Sequence, residues 1–290
     1  MRKLIFKILR YSFLPIILRE LVQRKHTTIL VFHNPDLITV KTSFEYLSKN
    51  YKIISLRKYI ELINNKIPIP SKSIIITFDD GYKENYKLLD IIKKFQIPIT
   101  IFVCSDLIGT NRHFWWTHPY GLYKNSYLKK LSNKERLSII AKYDNSNQED
   151  LLDKGRQSLN LKEFDEMVDC GLVDFQSHTM SHPILNSCDN EEAFNEINDS
   201  KKKLERDYNL DIFAIAYPNG NYSKREVEII KNTGYKCALT AKPGINKIHT
   251  NVFELKRLGI RNNSNKDEII VRASGLWGIL LSFKSLLKWD

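Results

Sequence analysis

Apolar residues in this chain fall into short β-branched runs, separated by longer stretches in which every third or fourth position is apolar. Runs at 28–32 (TILVF) and 73–78 (SIIITF), with 98–103, read as strands buried on both faces. Residues 52–55, 172–176, 212–216, 235–239 and 253–258 extend the series. Helical periodicity covers 42–50, 56–64, 85–95, 161–170, 191–208 and 224–232. Ser223 with Glu226 three residues on forms a capping-box signal, and Thr42 with Glu45 forms a similar one. Strand alternating with helix predicts an α/β fold on a parallel sheet. One long interruption, 111–160, is aromatic at its start and is expected to be helical over 134–143 and 148–159.

Two polar motifs punctuate this rhythm. Thr77-Phe78-Asp79-Asp80-Gly81-Tyr82 closes one strand, and His178-Thr179-Met180-Ser181-His182 follows another. Adjacent carboxylates or a His-x-x-x-His pair alone would be weak signals. At the carboxyl ends of parallel strands, where α/β enzymes gather their chemistry, they reinforce each other. Asp80, His178 and His182 supply three ligands for a divalent ion with a coordination position left for water, and Asp79 is a spare base beside them. That inventory suits metal-assisted hydrolysis. Mixed His/Asp ligation fits Zn²⁺ best, with Co²⁺, Ni²⁺ or Mn²⁺ as alternatives.

These motifs resemble those of the polysaccharide deacetylases of the NodB-homology type (carbohydrate esterase family 4). Thr-Phe-Asp-Asp-Gly and His-Thr-x-x-His stand intact, and Ala216-Tyr217-Pro218-Asn219-Gly220 is similar to a Tyr-Pro-x-Gly version of the third motif. Phe114-Trp115-Trp116 and the stretch 198–204 add to the likeness, which covers roughly residues 28 to 260. The resemblance implies an irregular seven-stranded (β/α) barrel with the insertion 111–160 over its mouth. It also implies an oxyanion donor at the Asn219 N–H. The family's usual C-terminal histidine has no convincing counterpart, since His249 lies outside a strand end. In the permuted arrangement that the Tyr-Pro-x-Gly members resemble, the proton donor sits on the first strand, which makes it His33, with His249 the runner-up. The arginine that braces the catalytic aspartate is missing from the third motif, and Arg257 is its candidate replacement.

The expected activity is removal of an N-acetyl group from a sugar of a cell-surface polysaccharide or a lipid-linked glycan precursor. Two rivals remain: hydrolysis of another non-peptide C–N bond, such as a formamide or cyclic amide, and a non-catalytic glycan-binding barrel. Retention of Asp79 beside three ligands argues against the latter, which needs no base. Trp115, Trp116, Tyr120 and Tyr123 are candidates for stacking on sugar rings or for the insertion's own core, with one Trp expected to face substrate. His113 and His118 read as rim residues.

Composition adds two constraints. With 290 residues, 42% hydrophobic and 27% charged, the chain suits one α/β barrel with a sizeable core. Four cysteines without Cys-x-x-Cys spacing give no disulfide framework, which favours a reducing compartment. The net charge of +12 is concentrated: residues 1–25 hold seven Lys/Arg against one Glu. No module interleaves basic and aromatic residues across a face, so a nucleic-acid partner is not expected. Leu4, Ile5, Ile8, Leu9 and Ser12 share one helical face, opposite Lys3, Lys7 and Arg10. That pattern suits either an interfacial helix on an anionic membrane or a terminal helix packed on the domain.

A cleaved secretory signal is not expected, because no alanine precedes Ala141 and no glycine precedes Gly81. The uncharged run 273–283, flanked by Trp277 and Trp289, is too short to span a bilayer and could lie in its interface. The expected division is a basic segment 1–26, a deacetylase-like domain 27–265 and an amphipathic segment 266–290. The expected location is cytoplasmic, with peripheral attachment to the inner membrane face.

Overall fold

Eight strands, all paired in parallel, form the sheet of the computed structural model, which describes residues 2–117, 119–146 and 155–286. They are β1 (Thr28–Phe32), β2 (Lys52–Ile53), β3 (Ser73–Phe78), β4 (Ile99–Val103), β5 (Val173–Ser177), β6 (Ala214–Ala216), β7 (Cys237–Leu239) and β8 (Leu258–Gly259). The order is β7-β6-β5-β4-β3-β1-β8. The segment ending in β8 curls the sheet round on itself. Leu255 pairs with Leu239 of β7, and three residues later Leu258 pairs with Leu30 of β1. The seven-stranded expectation holds for this ring, with β2 as the irregularity. It is a two-residue branch on β3 beside Ser73 and Ile74, whereas β4 joins β3 further along, at Thr77 and Phe78.

Period-two alternation sorts the side chains. Ile29, Ile75, Phe102, Ala214, Ala216, Cys237 and Leu239 form one buried cluster, with Tyr59 and Ile60 of the helix Leu56–Asn64. The intervening residues, such as Leu30, Ile74, Ile76, Phe78, Ile101 and Phe175, pack in a second cluster with the surrounding helices. The same alternation continues past the strand ends. Asp79 is two residues beyond Thr77, and His178 is two beyond Gln176, so both project from the inward-facing rows at the mouth.

Several boundaries differ from the sequence reading. The first helix after β1 is Leu37–Asn50, not 42–50, because Asp36 caps it by accepting from the Thr39 N–H at 2.6 Å. Thr42 and Glu45 therefore lie inside the helix and do not start it. Residues 85–95 divide into a 3₁₀ turn, Lys83–Leu88, and a helix, Leu89–Phe95. Residues 253–258 are mostly not strand: Val252–Glu254 is a 3₁₀ turn, leaving only Leu258–Gly259 in the sheet. The helix Asn133–Ser146 lies in the insertion as expected. Residues 155–159 are not helical, and Ser158 instead bridges to Tyr82. His118, Gln148 and Trp289 lie outside the described residues, as do the side chains of Tyr120 and Tyr123. The Ser223–Glu226 capping box is present on the helix Lys224–Asn232.

Candidate active site

The turn after β3 is the first half of the site. Asp80 and Gly81 both adopt left-handed backbone, with φ of 75° and 72°. A side chain at Gly81 would place its Cβ 2.8 Å from Val103 Cγ1, so glycine is required there on both counts. Asp79 and Asp80 are 3% and 4% exposed. Arg257 meets Asp79 in a two-pronged pair, Nη1 to Oδ1 at 2.7 Å and Nη2 to Oδ2 at 2.8 Å, while its Nε donates to the Thr240 carbonyl at 2.9 Å. Burial works to raise the Asp79 carboxyl, but Arg257 and His178 outweigh it and hold the group well below the usual carboxylate range. Asp79 is therefore ionised wherever the protein is folded at neutral pH.

The loop after β5 is the second half. His178 Nδ1 lies 2.8 Å from the Ala216 carbonyl at the end of β6, and its Nε2 lies 3.4 Å from Asp80 Oδ1. His182 Nε2 lies 3.6 Å from the same oxygen. The loop reaches this shape through left-handed φ at Thr179 (65°) and His182 (59°), conformations that cost energy for non-glycine residues. Glu196, from the helix Asn190–Tyr208, offsets that strain. It accepts from the Met180 and Ser181 N–H groups at 2.9 and 3.0 Å and from the Ser181 hydroxyl. Burial, reinforced by neighbouring His178, pushes His182 down to about 3, so it is neutral and able to ligate.

The ligand atoms of Asp80, His178 and His182 lie within 4.8 Å of one another, and all three residues are buried. Asp80 Oδ1 has no hydrogen-bond partner, since 3.4 and 3.6 Å are too long for strong hydrogen bonds. A buried carboxylate oxygen facing two imidazole nitrogens without a donor is costly unless a cation satisfies it. The residues thus fit a divalent metal. The two-nitrogen, one-oxygen donor set suits Zn²⁺ and its first-row neighbours.

A cavity of about 280 Å³ opens above these groups. His33, immediately after β1, lines it and is exposed, and its backbone carbonyl accepts from Asn85 at 3.1 Å. His249 does not line it. It sits in an exposed turn just after Asn246, which bridges to Thr27 before the start of β1. Tyr217, Asn219 and Gly220 form one wall. Asn219 and Gly220 both have positive φ, and a Cβ on Gly220 would lie 2.3 Å from that of Ala241, so the turn presses directly on its neighbour. Tyr217 is buried, stacks on Tyr222 with ring centroids 4.3 Å apart, and donates its hydroxyl to the Phe253 carbonyl at 3.0 Å.

The two tryptophans divide their tasks. Trp115 is buried, donates its indole N–H to the His182 carbonyl at 2.9 Å, and carries the Arg136 guanidinium over its ring at 4.7 Å. Trp115 also lines the cavity, as the less exposed of the two tryptophans. Trp116 is half-buried, its ring centroid is 4.2 Å from that of His182, and its N–H meets the Tyr82 hydroxyl at 3.0 Å. Three site residues escaped the sequence reading: Glu196, and Asn125 and Lys129, which reach the cavity from the helix Pro119–Leu128 and the residue after it. Lys129 Nζ donates to Asn219 Oδ1 at 2.9 Å. No local motif marks a lone Glu, Asn or Lys on a helix, so only the fold reveals them.

Fold and site together define an α/β barrel protein with a candidate metal centre at its mouth. The chain belongs to the polysaccharide deacetylase family, whose model matches residues 66–238, more than half of its length. It is 24% identical over 190 residues to YxkH of Bacillus subtilis, named for the same family, covering 65% of this chain and 52% of that protein. It is 22% identical over 234 residues to the poly-β-1,6-N-acetyl-D-glucosamine N-deacetylase of Staphylococcus epidermidis, covering 77% and 67%. The chain thus spans about half to two thirds of the length of these relatives. Among solved structures, the Streptococcus pyogenes deacetylase PplD in complex with acetate superposes with a TM-score of 0.64 at 21% identity, covering 86% of this chain and 98% of that one. The irregular barrel is therefore a shared architecture.

Proposed function

We propose that this protein is a metal-dependent hydrolase that removes N-acetyl groups from a hexosamine of a cell-surface polysaccharide. The observation that carries this reading is the joining, in one cavity, of the Asp80–His178–His182 cluster, the Arg257-braced Asp79 and His33. A binding barrel has no use for a buried carboxylate held ionised beside a ligand cluster. The names of the Staphylococcus relative and of PplD with acetate support the deacetylase reading over other C–N hydrolysis.

A divalent ion bound by Asp80, His178 and His182 would supply Lewis acidity, making a water more acidic and the amide carbonyl more electrophilic. Asp79 takes the proton from the attacking water; its pairing with Arg257 orients both oxygens and keeps them free of a resident proton. The Asn219 N–H, in the wall beside this cluster, donates to the oxygen that becomes negative as the acetyl carbon turns tetrahedral. His33 gives a proton to the leaving amine nitrogen, and its exposure lets it regain that proton from solvent. Trp116 offers an apolar ring to the sugar.

The test is acetate release from N-acetylated β-1,6-glucosamine oligomers, run beside formylated and cyclic amide substrates. Acetate should appear with the wild type and not with Asp79→Asn. Turnover of only the formyl or cyclic compounds would replace the substrate class, and no turnover of any compound by metal-loaded protein would replace the enzyme reading.

A further inference from the structure

The helix Arg2–Tyr11 is mounted on the barrel the opposite way round from an ordinary amphipathic helix. Its domain side carries Phe6, buried against Val271, Leu276 and Trp277, with the Phe6 and Trp277 ring centroids 4.7 Å apart. Arg2 and Arg10 flank Phe6 on that side and pair with Glu268 and Asp267 of the helix Lys266–Ala273. Two ion pairs thus fix the helix around Phe6, with Leu9 packed beside it, and a stripe of its other apolar side chains is turned away from the protein. Leu4, Ile8 and Tyr11, at helical spacing of four and three, are 60%, 61% and 62% exposed. The chain then continues through Phe13 at 68% and Leu21 at 66%, with Leu14, Ile16 and Ile17 exposed between them. Leu280 and Leu281 of the helix Leu276–Leu286, which adjoins Phe6 through Trp277, are exposed too.

Such a concentration of exposed branched and aromatic side chains is far beyond the scattered apolar residues of a soluble surface, and it marks a docking face. We infer that this layer seats on an anionic lipid bilayer, with its apolar side chains in the headgroup–acyl boundary and its lysines against the lipid phosphates. Charge selects that occupant. Lys3 and Lys7 are exposed along one flank of the apolar stripe, and Arg24 and Lys25 are exposed just after Leu21. No Asp or Glu occurs between residues 2 and 19, and the arginines of that stretch are taken up by protein groups: Arg2 and Arg10 by Glu268 and Asp267, and Arg19 by Glu20 and Asn50. Two copies meeting through this face would bring lysine against lysine, whereas an anionic membrane satisfies both the apolar and the cationic parts. No helix among the described residues is long and apolar enough to cross a membrane, so the contact is one of lying on the surface.

The experiment is flotation of the full chain with vesicles of phosphatidylcholine alone and of phosphatidylcholine mixed with phosphatidylglycerol. Deleting the helix would uncover Val271 and Leu276, so point changes on its outer side are the better probes. Wild type should float with the mixed vesicles and scarcely with phosphatidylcholine alone. The double variant Ile8→Glu/Phe13→Glu should bind at least about tenfold more weakly, because the two charges oppose burial in the interface. Its melting temperature and its turnover of a soluble substrate should match wild type. Lys3→Glu/Lys7→Glu should lose the preference for anionic lipid. The proposal is overturned if wild type does not float, or if Ile8→Glu/Phe13→Glu floats equally well. It is also overturned if lipid-free wild type is a dimer that this variant converts to monomer without changing flotation.

Discussion

On the β3–β5 side of the mouth, Asp79, Asp80, His178 and His182 are all buried, and the backbone or side chains that carry them are tied down by neighbours. Arg257 grips Asp79, the Ala216 carbonyl fixes His178, and Glu196 with Trp115 anchors the loop that carries His182. On the β1 side, His33 stands exposed, with its backbone carbonyl tied to Asn85. The contrast follows from the chemistry proposed for each side. Ligands gain from fixed geometry and from exclusion of water, and their orientation is set by the groups behind them. A proton donor must be recharged from solvent, so burial would impair it. The left-handed φ values at Asp80, Thr179 and His182 all lie on the rigid side, where surrounding hydrogen bonds can hold such conformations.

The sharpest way to break this comparison is to remove a ligand. Asp80→Ala should lose bound metal and fall to background acetate release, read by metal content and turnover together. Next in size is His33→Ala, expected to lower turnover by about 10²–10⁴ with metal retained. If His33→Ala turns over normally and His249→Ala does not, the acid lies on the other side of the barrel and the contrast collapses.

Removing Arg257 probes the rigid side through pH. In Arg257→Met, burial acts on Asp79 with its main opposing group gone, so its pKa rises relative to wild type and the acidic limb of the rate profile should move to higher pH. In the wild type, the lowered Asp79 pKa contributes stability above the ordinary carboxylate range, and this is lost as pH falls through the folded-state value. The variant should lose that contribution at neutral pH, about 3–5 kcal/mol for breaking a buried pair, measurable by urea unfolding. Glu196→Ala leaves the ligands in place and should weaken metal binding by about 10–100-fold. Smallest is Trp116→Ala: loss of a stacking face worth about 0.5–1.5 kcal/mol should raise KM several-fold and spare kcat.

Much of the rigid side was legible in the sequence. Its residues cluster in two short motifs at strand ends: Asp79 and His178 stand where alternation along β3 and β5 puts them, while Asp80 and His182 reach the cluster through left-handed turns. Arg257 lies 178 residues from Asp79 and was reached only through the missing third-motif arginine; the structure puts its guanidinium in two-pronged contact with Asp79. Glu196 was invisible, because a glutamate on a polar helix face looks solvated until the loop folds over it. Aromatic spacing likewise did not say which of the two indole N–H groups would be claimed by a backbone carbonyl, as that of Trp115 is by His182. Helix ends set by capping were read correctly at Ser223 and missed at Asp36, where Pro35 and Asp36 gave the start and the Thr42–Glu45 spacing competed with it. The barrel's closure was legible only in part. Residues 253–258 were read as one strand, while the chain divides that stretch between a turn, a bridge to β7 and a pairing with β1.

The central claim is that one divalent ion on Asp80, His178 and His182 works with Asp79 as base. Metal content per chain, measured on wild type, His182→Ala and Asp79→Asn purified in parallel and each assayed for acetate release, tests it most directly. The account predicts about one ion per chain and turnover in the wild type, loss of both in His182→Ala, and a retained ion with lost turnover in Asp79→Asn. Full metal content in His182→Ala would contradict the assignment of the site, and undiminished turnover in Asp79→Asn would contradict the role of its base.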